Sequence, residues 1–171
     1  MKTCLGWLVL LSALALAGHV LAGDETPADR ARALQRDQHL VQTLIASGLK
    51  LAAEKDPLRR ADHCNRLADS YAVEIKRAMQ NKDGLRVAQF GEQMQALLTK
   101  GVAQNLTVAR AALKPDEPEI NRLGALVSIT AKSIEDELGH HPELERDKMQ
   151  FTLQAVAQGK ADVEQAVKGK Q

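Results

Sequence analysis

Residues 61–78 read ADHCNRLADSYAVEIKRA, and their spacing decides the fold class. Ala61, Cys64, Ala68, Tyr71, Ile75 and Ala78 follow one another at alternating steps of three and four residues. That spacing lines one face of a helix and leaves Asp62, Arg66, Asp69 and Lys76 off it. A strand would alternate apolar and polar residues instead, and no such run occurs in the chain.

The segments on either side are punctuated in the same helical language. Asp56-Pro57 supplies a cap and a proline at the first helical position. A residue before proline is pushed out of helical geometry, so the preceding helix is expected to end near Lys55. A proline kink in one long helix is the alternative. That preceding helix starts at Thr26-Pro27-Ala28-Asp29, with Thr26 as cap and Asp29 on the positive end of the dipole. Leu34, Val41, Leu44, Ile45, Gly48, Leu51 and Ala52 then recur at close to a 3.5-residue repeat.

Asn81-Lys82-Asp83-Gly84 reads as a turn. A third helix is expected from about Leu85 to Leu113, roughly 40 Å long at 1.5 Å per residue. Val87, Phe90, Met94, Leu97 and Gly101 form one stripe; Leu98, Val102, Leu106, Ala109 and Leu113 widen it. In the break Lys114–Glu119, Asp116 and Glu119 have capping-box spacing. The fourth helix points Ile120, Leu123, Val127, Ala131, Ile134 and Leu138 inward, and Gly139 takes the left-handed position after its end. His141-Pro142 restarts the chain, with Glu143, Glu145 and Asp147 at the new N-terminus. Met149, Leu153, Val156, Val163 and Val167 mark the fifth helix. The fold expected is all-α: an elongated up-and-down antiparallel bundle of four to five long amphipathic helices.

Residues 1–22 read as a secretory signal peptide. Lys2 gives the positive start, Leu5 to Ala17 is almost wholly apolar, and Val20-Leu21-Ala22 fits a cleavage site after Ala22. A membrane span needs about 20 apolar residues, and Gly18 and His19 interrupt this run sooner. Retention of the leader as an anchor is the alternative. Cys4 sits at the wrong end of the run for lipid attachment. The expected location is periplasmic or secreted, with residues 23–171 as a single helical domain and no stable membrane insertion.

Charge and composition narrow the function classes. The 171 residues carry 23 Lys+Arg and 22 Asp+Glu. Lys2 is the sole charge in the leader, so residues 23–171 are formally neutral, which argues against nucleic-acid binding. The charge is uneven: Ala28 to Arg110 sums to +5 and Ala111 to Gln171 to −3. Outside the leader Cys64 stands alone, so no intramolecular disulfide forms there and packing must supply the stability. Tyr71, Phe90 and Phe151 are the aromatics outside the leader, few for a deep ligand pocket or an aromatic binding hot spot.

Three constellations invite a chemical reading. His63-Cys64 offers imidazole and thiolate, but neighbours on a helix point about 100° apart and do not chelate as a pair. Glu137 and His140 have the Glu-x-x-His spacing of di-iron bundles, yet no second copy exists and Gly139 falls between them. His140 and His141 fit better as cations at a helix C-terminus. His140, His141 and His63 are therefore the candidate metal ligands, with no metal assigned. Ser47, Ser70, Ser128 and Ser133 fall inside helices, without the strained elbow of a hydrolase. Asn105-Leu106-Thr107 matches a glycosylation acceptor but lies mid-helix. No catalytic residue and no cofactor is expected. The reading is an exported, non-enzymatic bundle acting as a protein-interaction or structural module, with a protein partner or itself. The alternatives are a periplasmic metal-binding or sensing protein, and a lipid-binding helical protein.

Overall fold

The computed structural model describes residues 27–112, 118–141 and 145–169. The described residues are helical, with no strand among them. In chain order they form α1 (Pro27–Ala53), α2 (Pro57–Gln80), α3 (Gly84–Ala96), a π-helical segment (Leu97–Ala103), α4 (Gln104–Ala112), α5 (Pro118–Leu138) and α6 (Arg146–Lys168). The chain divides into two compact units, Met1–Ala53 and Glu54–Gln171.

The break between α1 and α2 forms as its residues dictate. Glu54 turns its carboxylate back to accept from the backbone N–H groups of Lys55 and Asp56, each at 2.9 Å. Asp56 then caps α2, its Oδ1 accepting from Leu58 N at 2.8 Å and Arg59 N at 3.1 Å. Two of the helix's four orphan donors are thereby satisfied. The chain stops and restarts here, so the kinked single helix is excluded.

The second unit is a four-rod helical bundle, with α3, the π segment and α4 running on as one rod. Successive rods alternate in direction. Tyr71 meets Phe90 with ring centroids 5.8 Å apart, fixing α2 against α3. Asp62 reaches Arg122 at 3.2 Å, and Lys76 donates to Ser133 at 2.6 Å, so α2 and α5 lie side by side and parallel. Thr99 donates to Asp162 at 2.6 Å, placing α6 parallel to the long rod. Short connections led us to expect consecutive rods to be neighbours throughout. They are not: α5 packs on α2 and α6, and the long rod that precedes it packs on α2 and α6 as well. The two therefore occupy opposite corners, and two hairpins stack side by side.

The seams of α2 and α5 are inside as read. Ala61, Cys64, Ala68, Tyr71, Ile75 and Ala78 are buried, and so are Ile120, Leu123, Val127, Ala131, Ile134 and Leu138. The long rod departs from expectation at Leu97. The buried series runs Met94, Leu98, Val102, Leu106, a repeat of four, while Leu97 is only half-buried. The π segment explains the slip. Its i→i+5 bonds put more residues in each turn, so a four-residue step stays on one face. Gly101 sits in this segment because a side chain would not fit: a Cβ there would lie 2.7 Å from Cys64 Sγ.

The inward face of α6 is also rotated from the expected one. Val156 and Val163 are buried as read, but Thr152, Ala155, Gly159 and Ala166 join them, while Met149, Leu153 and Val167 stay half-buried. Close approach selects the small residues. A Cβ on Gly159 would meet Leu98 Cβ at 2.9 Å, and one on Gly91 would meet Thr152 Cγ2 at 2.9 Å.

Asn81-Lys82-Asp83-Gly84 is a turn as read, and the reversal after α5 corrects the reading of Gly139. Lys82, not a glycine, takes the left-handed conformation after α2, with φ of 57°. Asp83 N–H bonds Ala78 O and Lys82 N–H bonds Met79 O, both at 2.9 Å, which is the Schellman pattern with lysine in the usual glycine position. Gly84 instead starts α3 against the Lys148 side chain. Gly139 does not adopt the left-handed conformation. The end of α5 is closed by His140 N–H to Glu137 O at 2.9 Å and His141 N–H to Leu138 O at 3.3 Å, i→i+3 bonds that need no positive φ. The leader, Thr26, Leu113, Asp116 and Glu143 lie outside the described residues.

Two stability changes follow. Ile75→Ala should cost about 2–5 kcal/mol, because a fully buried isoleucine leaves a cavity; a urea melt showing under about 0.5 kcal/mol would place that face outside. Lys82→Gly should raise stability by about 1 kcal/mol, the strain a side chain carries in left-handed geometry; a lowered midpoint would contradict the turn.

Candidate functional site

The three candidate histidines do not converge. His63 is half-buried on α2, one residue from Cys64 and close to Asp62, which pairs with Arg122. His140 and His141 follow the far end of α5. Because α2 and α5 are parallel, the two places are separated by about 24 Å along the helices, at 1.5 Å per residue from Arg122 to Leu138. His140 lies with Nδ1 2.6 Å from Asp136 O, so that nitrogen donates to a backbone carbonyl. His141 Nε2 is 3.5 Å from Glu137 Oε1. Glu137 thus faces His141, and the Glu-x-x-His pair with His140 is not assembled. Among the described residues no three His, Cys, Asp or Glu side chains are grouped to hold a metal ion.

Cys64 is a core residue. Its sulfur lies against Gly101 and is shielded from water. Burial pushes the thiol from its ordinary 9.0 up to about 11, against a smaller lowering by the Arg60 guanidinium. Burial raises the Tyr71 phenol as well. Asn105 is occupied structurally: its Nδ2 donates to Gly101 O at 2.6 Å, and its Oδ1 accepts from Arg60 Nε at 3.3 Å. The Asn105 amide thus ties its own helix to Arg60 of α2.

The serines of the bundle are likewise engaged with helices. Ser70 donates to Arg66 O at 3.1 Å, Ser128 to Glu164 at 3.5 Å, and Ser133 accepts from Lys76. A groove of about 130 Å³ opens between α5 and α6, lined by Gly124, Ala125, Ser128, Glu164 and Val167. A Cβ on Gly124 would meet Val167 Cγ2 at 2.8 Å, so the groove is a seam between close-packed helices. Small-molecule sites run from about 300 Å³ upward.

The feature that stands apart is on α1. Leu34, Ile45 and Leu49 are exposed at 71%, 50% and 69% of their surface. Leu34 and Ile45 belong to the repeat expected to face inward, which does not include Leu49, yet among the described residues of α1 it is Leu40 that is buried. Val41 is half-buried, and around Gly48 no atom lies within 4 Å of where a Cβ would be. The spacing Leu34, Val41, Ile45, Leu49 makes one stripe along the helix. Gln35, Gln38 and Gln42 border it. Arg32, Arg36 and Lys50 fall about 160–200° away around the helix, on the opposite side. The repeat was legible in the sequence; its exposure was not, because spacing does not say whether a face has a partner. No described helix is long and apolar enough to cross a membrane.

No family model, curated protein or solved structure matches this chain.

The raised thiol gives a pH-dependent outcome. A thiol whose pKa is higher in the folded state keeps its proton longer there, so its contribution to stability is whole below about pH 9 and is lost as pH climbs toward 11. At pH 8 a thiol reagent should label native Cys64 about a hundredfold more slowly than the urea-unfolded chain, from the lost thiolate alone. Equal rates in the two states would show an open thiol.

Proposed function

We propose that this chain is an exported, non-enzymatic helical-bundle protein that serves as a protein-interaction or structural module, with α1 as its contact element. The observation that carries the reading is the exposure of Leu34, Ile45 and Leu49 along one helical stripe. Exposed apolar surface arranged in register on a helix is the form taken by helix-in-groove and helix-on-helix recognition. Residues 1–22 support delivery beyond the cytoplasmic membrane, to the periplasm or the exterior. The formal neutrality of residues 23–171 favours a protein over a nucleic acid as partner.

The polar groups of the bundle add support. Those that bridge helices, Asp62 with Arg122, Asp69 with Thr130 and Thr99 with Asp162, satisfy one another rather than surrounding a cavity. The metal-binding alternative has less to stand on, since its histidines lie at two ends of one helix pair. A lipid surface fits less well too. Interfacial helices carry basic residues beside an aromatic or leucine-rich face; the stripe has no aromatic residue, and three of the four cations of α1, Arg32, Arg36 and Lys50, lie opposite it.

A photo-reactive phenylalanine analogue placed at Ile45 or Leu49, in cells making the full chain, tests the reading. Irradiation should yield a discrete protein adduct from those positions and none from His39 or Lys50, which lie around the helix. Equal adducts from all four positions, or none from Ile45 and Leu49, would defeat it.

A further inference from the structure

The rod from Gly84 to Ala112 carries two seams that are out of phase. In its first part the buried residues Val87, Gly91, Met94 and Leu98 follow one another at steps of four, three and four. In its second part Val102, Leu106 and Ala109 keep the same rhythm, with steps of four and three. Carried on in that rhythm, the first seam would turn Gly101, Asn105 and Val108 inward. The residues inside are each one place further on, and Val108 is exposed. The rod therefore holds one residue more than its two seams need. The surplus falls between Leu98 and Val102, within the π segment Leu97–Ala103.

We propose that the π segment is a one-residue insertion taken up by the rod, with Lys100 as the residue that the packing can lose. An i→i+5 bond closes its turn around one more residue than an i→i+4 bond. A π turn is thus the form in which a helix accepts a single extra residue without breaking. Rotation about the axis leads to the same count. In an unbroken α-helix Met94 and Leu106 would lie about 120° apart around the rod; with one residue fewer between them they would lie about 20° apart. Both are fully buried on one face.

The surroundings of the segment single out Lys100. Leu98, Val102 and Ala103 are buried, and Leu97 is half-buried. Thr99 donates to Asp162 of α6, and Gly101 gives Cys64 of α2 its room. Lys100 is exposed. Its removal leaves Gly101, Val102, Asn105 and Leu106 in unchanged order, so Cys64 still meets a glycine. Asn105 still reaches the carbonyl four residues before it. The extra residue is a conformational device: it lets a helix whose two parts are phased differently present one continuous face to α2 and α6. It stands independently of the reading of α1.

Single-residue deletions in the full chain test the inference. Lys100, Arg66 of α2 and Lys132 of α5 are each exposed, and each is removed in turn. Deleting Arg66 or Lys132 from a regular α-helix turns half of its seam about 100° away from the core. Those two chains should show a urea midpoint well below that of the wild-type chain, or no cooperative transition at all. The chain without Lys100 should keep the helical circular dichroism of the wild type and a urea midpoint at least as high. Its Cys64 should react with a thiol reagent at pH 8 as slowly as in the wild-type chain, because α2 still closes on Gly101. Its crystal structure should show unbroken α-helix from Gly84 to Ala112, with Leu98, Val102 and Leu106 inside. A midpoint below the wild-type value would overturn the inference. So would a Cys64 that reacts at the rate of the unfolded chain, or a π segment that persists after the deletion. Equal tolerance of all three deletions would overturn it too, since any rod of the bundle would then absorb a missing residue.

Discussion

The bundle depends on how closely α2 can approach the rod that runs from Gly84 to Ala112. Cys64 fills the place that a side chain on Gly101 would occupy, and the contact is tight enough that even a methyl group would collide. Around it the rod opens into seven residues of π-helix. Wider turns keep Met94, Leu98, Val102 and Leu106 in one line, where an unbroken α-helix would carry them around the rod by about 40° for each four-residue step. The π segment replaces i→i+4 bonds with i→i+5 bonds. The Asn105 amide takes up Gly101 O and is itself held by Arg60 from α2. Packing, helix type and a polar clamp are thus one device at one level of the bundle.

Apolar seams fix which faces meet but leave the rods free to slide. Polar contacts on the α2–α5 border restrict that freedom. Asp62, Asp69 and Lys76 stand seven residues apart on α2 and engage Arg122, Thr130 and Ser133 in turn. Each contact is half-exposed and contributes little on its own; surface ion pairs are worth about 0–1 kcal/mol. Their service is positional, because sliding α5 by one turn against α2 would unpair all three together. Arg122 is tied on its own helix as well. Its hydrogen bond holds the Glu119 carboxyl below the usual carboxylate range and raises its own guanidinium, while Asp62 adds to the latter effect. Within the core Asn65 keeps Oδ1 without a partner while the residue is 2% exposed. Burying an unpaired polar atom costs about 1–3 kcal/mol, and a lone core asparagine is a known way to penalise wrong helix registers.

The sequence declared the helices by two signals that are local. Caps and prolines act over four residues, which is why Asp56-Pro57 and the heptad of α2 are where they were expected. Large aliphatic residues at regular spacing likewise identify the inner faces of α2 and α5. What spacing does not carry is the distance between helices. On α6 the contact is made by Thr152, Ala155 and Gly159, because Gly91 and Leu98 come so near that larger side chains are turned aside. Nor does spacing report the i→i+5 bonds, which depend on Cys64 from another helix. Lys82 shows a third limit: left-handed geometry favours glycine, but two backbone bonds and the start of α3 hold a lysine there regardless. The candidate histidines could be placed on or after helices, while their separation required the parallel pairing of α2 with α5.

The same physics separates the two units by what sustains them. The rods of Glu54–Gln171 bury one another's seams, so each stays helical through contacts within the chain. A helix of 27 residues with a broad exposed stripe has less of that support. Isolated helices are marginal in water even beyond about 12–15 residues, since nucleation is costly and tertiary packing supplies most of the stability. Whatever covers Leu34, Ile45 and Leu49 is therefore coupled to the helicity of α1 itself. When a binding partner is the cover, mass action makes that helicity depend on the partner's concentration, whereas the bundle's own unfolding does not.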